Sequence, residues 1–274
     1  MPKEKPELSD AMRKKLSGSP REKKPINGTK FTIAISSAKG GVGKSTFATN
    51  LALALKQNGC KVGLLDADIY GPSIPKMFGI NEKPKSDGQK LEPVIKYDIQ
   101  CMSIGFLADE KTPMIWRGPM VTSAIKTFTQ QVNWKDLDFI IVDMPPGTGD
   151  TQLTFSQGIE MNGAIIVSTP QEVALLDVKR GIKMFDKLNV KVLGLIDNMS
   201  FFVGDDGKKY NIFGEGGVKR TAEEFNKEFL AEIPIDPNVG KFGDLGKPIV
   251  ESDPNNEVSQ IYINLAKKIK SIYF

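Results

Sequence analysis

The residues that could do chemistry begin at position 36, where a β-branched run gives way to SSAKGGVGKSTF. Gly40, Gly41 and Gly43 permit backbone conformations and close approaches that a Cβ would forbid, so the N–H groups along Gly40, Gly41, Val42 and Gly43 can turn toward one anion. A helix starting near Lys44 adds its positive dipole end at the same place. In such a cradle Lys44 reaches the β- and γ-phosphates of a nucleoside triphosphate, the Ser45 hydroxyl binds Mg²⁺, and Thr46 contacts the α-phosphate. The usual first glycine of G-x-x-x-x-G-K-[ST] is Ala38 here, while KGGVGKST is intact.

Acidic residues stand where such a site needs them. The run KVGLLD (61–66) is followed by Ala67 and Asp68, and ligands of open α/β sheets bind at the carboxyl ends of strands. Asp68 is the candidate for orienting an attacking water, because hydrolysis needs an acceptor near the γ-phosphate, and Asp66 is the candidate for the Mg²⁺ shell. DFIIVD (138–143) closes an apolar run with Asp143, the arrangement that holds Mg²⁺ through water. The PPGTG that follows joins a stiff segment to a permissive one, and Gly147 could offer its N–H to a γ-phosphate.

The elements that must position these groups are legible as alternating patterns. Strands are expected at 31–36, 61–66, 99–104, 138–143, 163–168, 191–197 and, shorter, 230–233. Between them, residues 44–58 place Phe47, Leu51 and Leu55 on one face, and residues 171–188 do the same with Leu175, Val178, Ile182 and Phe185. Gly59 sits where the first helix needs a cap. The last segment, 257–272, repeats Val258, Ile261, Tyr262, Leu265 and Ile269 on one face, which reads as a helix packed on the sheet. The expected fold is therefore α/β, a single-domain P-loop NTPase with a mostly parallel central sheet flanked by helices on both faces.

Composition narrows the chemistry further. The 274 residues include no histidine and two cysteines, Cys60 and Cys101. Ser-His-Asp and Cys-His catalysis and His-ligated metals are excluded, and one chain cannot supply four thiolates. Residues 1–30 carry nine Lys/Arg against four acids, leaving 28 against 29 in the rest. Residues 31–274 are thus nearly neutral and give no electrostatic footprint for nucleic acid. The first 30 residues, rich in Pro and Lys, are expected to be a disordered basic tail without the apolar core of a secretory signal. No run of 18 apolar residues occurs, no stable membrane association is expected, and a reducing cytoplasm is the expected compartment.

Lys39, just before the paired glycines, resembles the second lysine of the deviant Walker A ATPases, the group of MinD/ParA proteins and the nitrogenase iron protein. The resemblance implies that Lys39 reaches across a homodimer interface to the partner's nucleotide and shares in catalysis. DADIYGPSIPKMFG, WRGPMVTSAIKTF, VDMPPGTGD, DNMSFF and IFGEGG resemble the Mrp/ApbC family of iron–sulfur cluster carrier ATPases over residues 30–250. That resemblance implies an ATP-hydrolysing homodimer that passes a [4Fe-4S] cluster, bridging the dimer, from assembly factors to client apoproteins. It also assigns Asn198 to the adenine, since an amide can both donate and accept. Many family members carry a C-x-x-C after the NMS motif, whereas this chain reads FFVGDDGKKYNIF at 201–213. The cluster ligands are therefore unassigned. Cys60 and Cys101 fall where a free cysteine acts as a small buried hydrophobe. A MinD/ParA-like positioning switch and a regulatory ATPase that holds no cluster are the alternatives.

Overall fold

Short β-branched runs buried on both faces build a parallel sheet, and helices with one apolar stripe cover it. The computed structural model describes residues 23–107 and 118–274. Its first half contains β1 (Thr29–Ser37), α1 (Lys44–Gln57), β2 (Val62–Asp66), α2 (Ile74–Met77), β3 (Lys85–Ser86), β4 (Leu91–Glu92), β5 (Val94–Lys96), β6 (Ile99–Ser103), α3 (Gly118–Lys126) and β7 (Leu137–Asp143). The second half contains α4 (Asp150–Gly158), β8 (Gly163–Ser168), α5 (Glu172–Lys187), β9 (Val192–Val203), β10 (Lys209–Tyr210), α6 (Gly217–Glu224), β11 (Phe229–Ile235), α7 (Pro237–Asp244), α8 (Ile249–Ser252) and α9 (Glu257–Tyr273).

The strand order is β10-β9-β8-β1-β7-β2-β6-β5, with β11 also paired to β9. β1, β2, β6, β7, β8, β9 and β11 are mutually parallel, and β5 and β10 close the order antiparallel. Each strand end that was expected to carry chemistry therefore opens on the same edge. The β1 register sets Ile35 beside Asp143 and Ile33 beside Ile141. Ile33 and Ile35 point into a core with Phe47, Leu51 and Leu55 of α1 and with Tyr262, Leu265 and Ile269 of α9. Ala34, Ile140 and Val142 point the other way, into a core with Phe155 of α4, Val178, Ile182 and Phe185 of α5 and Val218 of α6.

All seven expected strands are present, and the apolar face of α9 is buried on the sheet rather than presented outward. Among the described residues no helix is long and apolar enough to cross a membrane. β9 runs six residues beyond its expected end at 197, because β11 and then β10 pair with the extension.

The expected boundary at residue 30 is corrected. Lys24 N–H donates to Gly158 O at 3.1 Å, Glu160 N–H to Lys24 O at 2.9 Å and Asn27 N–H to Thr129 O at 3.2 Å. Ile26 is 1% exposed among Phe128, Trp134 and Phe155. One isoleucine in a Lys- and Pro-rich stretch offers no periodicity to read, yet it fills a core position. The rest of the expected tail, 1–22, lies outside the described residues. Ile26→Ala should lower unfolding stability by about 2–4 kcal/mol, the usual cost of truncating a buried aliphatic side chain. A urea midpoint within error of the parent would show that this segment does not belong to the cooperative unit.

Candidate nucleotide site

β1 ends at Ser37 and the chain turns through the glycine loop into α1. Gly43 takes φ +81° as the residue before the helix, and a Cβ there would collide with the Asn198 amide. α1 has no side-chain cap and no acid in its first turn, so its leading N–H groups and dipole face an open site, as anion binding requires. A Cβ at Gly40 or Gly41 would meet no protein atom; the loop therefore has room on its outer side.

The Lys44 side chain is 6% exposed. Its Nζ lies 2.6 Å from Asp143 Oδ1, 3.4 Å from Asp68 Oδ2 and 3.4 Å from Ser45 Oγ. Ser45 donates its hydroxyl to Asp143 Oδ2 at 2.6 Å. The sheet thus brings the lysine of α1, the carboxylate ending β7 and the carboxylate after β2 into one network, as expected from their places at strand ends. Burial raises the Asp143 carboxyl above the ordinary carboxylate range, against the lowering by Lys44 and Ser45.

Asp66 and Asp68 hold different places in this network. Asp66 is fully buried and accepts from Asp68 N–H at 3.2 Å, Ile74 N–H at 3.1 Å and Ser103 Oγ at 3.1 Å. Through these three bonds its carboxylate organises the loop 66–74. Burial first, then the neighbouring Asp143 carboxylate, push its pKa up to about 8. Asp68 accepts Tyr70 N–H at 3.1 Å with one oxygen and turns the other to Lys44. The remaining oxygen donors, Ser45 Oγ and the Asp143 carboxylate, are hard ligands of the kind magnesium takes alongside phosphate oxygens and water. Among the described residues no group of three Asp, Glu, Cys or His side chains forms a ready-made metal cage.

Gly147, at φ +90°, donates its N–H to Ser37 O at 2.9 Å, so that donor is engaged within the chain. Lys39 Nζ lies 3.9 Å from Asp177 Oδ2 on α5, with its side chain partly exposed. Asn198 Nδ2 donates to Val42 O at 2.8 Å, which ties the loop to β9 and leaves one amide N–H and Oδ1 for a ligand. Beside it Gly43, Thr46, Asn198, Pro234, Asp236 and Tyr262 line a cleft of about 180 Å³ continuous with the head of α1. The cleft residues after β11 were missed in the sequence. The signal was IPIDP at 233–237, a strand end running into an aspartate that caps α7 by accepting Asn238 N–H.

Cys60 and Cys101 are both buried in the core beneath α1, and burial pushes both thiols up, Cys101 the more strongly. Cys60 precedes β2, at the opposite end of that strand from Asp66, and Cys101 is central in β6. Neither faces the site.

The chain matches the profile of the ParA family, described as NUBPL iron-transfer P-loop NTPase, over residues 28–270. It is 49% identical over 254 residues to the iron-sulfur cluster carrier protein of Aquifex aeolicus, covering 91% of this chain and 70% of that protein. It is 47% identical over 256 residues to the iron-sulfur cluster transfer protein NUBPL of Mus musculus, covering 92% and 80%. Among solved structures it is similar to a nucleotide-binding protein from Archaeoglobus fulgidus in complex with ADP, with a TM-score of 0.74, 41% identity and coverage of 83% and 90%. The cell division ATPase MinD of Pyrococcus furiosus, at TM-score 0.66, 20% identity and coverage of 88% and 99%, shares the fold.

Next to Asn198, the Asp197 side chain is 1% exposed with no hydrogen-bond partner on either carboxylate oxygen among the described residues. Burial, then Glu232 paired across β11, raise its pKa to about 7. A carboxyl whose folded pKa lies above its unfolded value of 3.8 holds its proton better when folded. Stability from this group therefore falls as pH rises from about 4 to 7 and is level above. In Asp197→Asn that decline should be absent, so variant and parent should diverge in urea midpoint between those pH values. Parallel pH profiles would contradict the assignment.

Proposed function

Because this chain belongs to the ParA/NUBPL family of iron-transfer P-loop NTPases, we propose that it is an ATP-hydrolysing carrier in the delivery of iron–sulfur clusters to apoproteins, working as a homodimer in a reducing cytoplasm. The observation that carries the ATPase part is the Lys44, Asp143, Asp68 and Ser45 network at the uncapped head of α1. The cargo is inferred from the relatives, which are named iron–sulfur cluster carrier and transfer proteins.

In this reading the loop amides of 40–43 and the first turn of α1 hold the phosphates, and Thr46 contacts the α-phosphate. Lys44 leaves Asp143 and Asp68 for the β- and γ-phosphates, trading two carboxylates for phosphate oxygens of greater charge. Ser45 and Asp143 hold magnesium, which when bound neutralises charge on the β- and γ-phosphates. Asp68, relieved of Lys44, accepts a hydrogen bond from the water that attacks phosphorus in line with the departing ADP oxygen. Gly147 exchanges its bond to Ser37 O for the γ-phosphate, so the loop 144–149 moves with the presence of that group. Lys39 leaves Asp177 for the nucleotide of the partner subunit, which makes the dimer depend on nucleotide. Asn198 reads the adenine with the amide groups not held by Val42.

The cluster itself is cargo; the two cysteines of the chain, Cys60 and Cys101, lie in its core, so no residue of this chain is assigned as a cluster ligand. Client apoproteins and assembly factors are the partners. After anaerobic reconstitution with iron and sulfide, the double variant Cys60→Ala/Cys101→Ala should carry the same iron, sulfide and absorbance as the parent. Selective loss in the variant would make the buried thiols ligands after all.

Lys44→Ala should reduce phosphate release to background. Asp68→Asn should lower kcat by roughly 100-fold, the lower range for a positioned proton acceptor, with the affinity for ATP within about threefold of the parent. Hydrolysis at the parental rate in Lys44→Ala would overturn the ATPase reading.

A further inference from the structure

The chain has five tyrosines, and four of their hydroxyls have a partner. Tyr70 pairs with Thr151 Oγ1 at 3.2 Å, Tyr97 donates to Gly246 O at 2.7 Å, Tyr210 to Asp206 Oδ2 at 2.9 Å and Tyr273 to Asn162 O at 3.1 Å. Tyr262 is the most deeply buried of the five, at 1% exposure, and no hydrogen bond to its hydroxyl is formed among the described residues. It is also not among the polar atoms sealed from solvent, so the sliver of surface it keeps includes the hydroxyl.

That sliver lies on the cleft shared with Gly43, Thr46, Asn198 and Asp236. The ring is fixed from behind. Tyr262 sits on α9, packs against Phe47 of α1 with centroids 5.6 Å apart, and belongs to the core that includes Leu51, Leu265 and Ile269. A phenylalanine would fill the same space without placing an unpaired hydroxyl in an apolar setting, which is costly unless something bonds to it. Asn198, with one amide N–H and Oδ1 not engaged by Val42, is likewise a polar group on this cleft, whereas both Asp236 oxygens are held by Asn238 N–H and Asn256 Nδ2; Met199, Ile233, Pro234, Ile235 and Val239 give the cleft its apolar lining. Such a cleft, apolar with a few convergent polar groups, is built for a flat, partly polar ligand.

We propose that Tyr262 is a specificity-determining residue of the nucleotide site, its hydroxyl hydrogen-bonding the nucleoside half of the bound nucleotide. This rests on the nucleotide reading above and extends it, because it makes α9, the last helix of the chain, part of the binding site. The triphosphate cradle is formed by the loop and α1; Tyr262 and Asn198 then decide what the phosphates are attached to.

The test is Tyr262→Phe, titrated with Mg-ADP and separately with magnesium tripolyphosphate. The variant should melt at or above the parental temperature without ligand, since no hydrogen bond among the described residues is lost. Its affinity for ADP should fall by roughly five- to tenfold, the usual worth of one hydrogen bond, while tripolyphosphate binds as in the parent. In steady state the loss should appear in KM, with kcat unchanged. Equal ADP affinity in variant and parent, or equal losses for ADP and tripolyphosphate, would overturn the proposal. A parent that binds neither compound would instead remove the nucleotide reading on which it rests. Should the variant fail to fold, the ζ-¹³C resonance of Tyr262 in the parent gives the same answer: a shift with ADP and none with tripolyphosphate is expected, and no shift with ADP overturns it.

Discussion

A buried ammonium held between two carboxylates sets the terms for the whole molecule. Lys44 can be removed from water only because Asp143 and Asp68 face it and Ser45 completes the Asp143 hydrogen bonding. Deleting one member of such a group leaves an unpaired buried charge, at about 3–5 kcal/mol. Yet the pair as a whole contributes little net stability, since desolvation offsets the attraction. A cluster of this kind is poised for exchange: a polyphosphate that replaces the carboxylates around Lys44 restores its pairing and frees Asp143 and Asp68 for other tasks.

The fold exists, in this sense, to bring three sequence-distant residues to one point. Parallel pairing of β1 with β7 and of β7 with β2 puts Ile35, Asp143 and Asp66 in register at one edge. Burial on both faces fixes that register, because a slip of one residue would exchange the side chains fitted to the two cores, Ile141 for Val142, and carry Asp143 out of line with Ile35 and Asp66. Asp66 then spends its oxygens on Ile74 N–H, Asp68 N–H and Ser103 Oγ, which holds the loop so that Asp68 alone turns toward Lys44. The loop after β7 is tied to β1 by Gly147 N–H on Ser37 O and by Gln152 on Ser36. The end of β1 is thereby hydrogen-bonded both to that loop and to α4.

The legibility of this arrangement in the sequence was uneven for physical reasons. Strands buried on both faces must be β-branched and apolar, so β1, β7 and β8 stand out, and a lysine after GGVG or an aspartate closing an apolar run has few other uses. The division of roles between Asp66 and Asp68 was not legible, because it is set by donors at positions 74 and 103, far along the chain. The docking of residues 23–28 was hidden by its polar composition, with only Ile26 to signal burial. Tyr262 read as an ordinary apolar position of an amphipathic helix, and only the fold reveals that its hydroxyl has no partner among the described residues. Lys39 was placed by family resemblance in a partner's site; in the single chain it rests 3.9 Å from Asp177.

The kinship with iron–sulfur cluster carriers points to no residue of this chain as a cluster ligand. No histidine exists in the chain and both cysteines are in the core. What these side chains explain is the network at the head of α1, and the reading proposed for it depends on one binding event. Titration calorimetry of Mg-ADP into the purified full chain measures that event directly. A saturable heat corresponding to one nucleotide per chain is the expected result; heats of dilution alone, with ADP and with ATP, would contradict the account at its root.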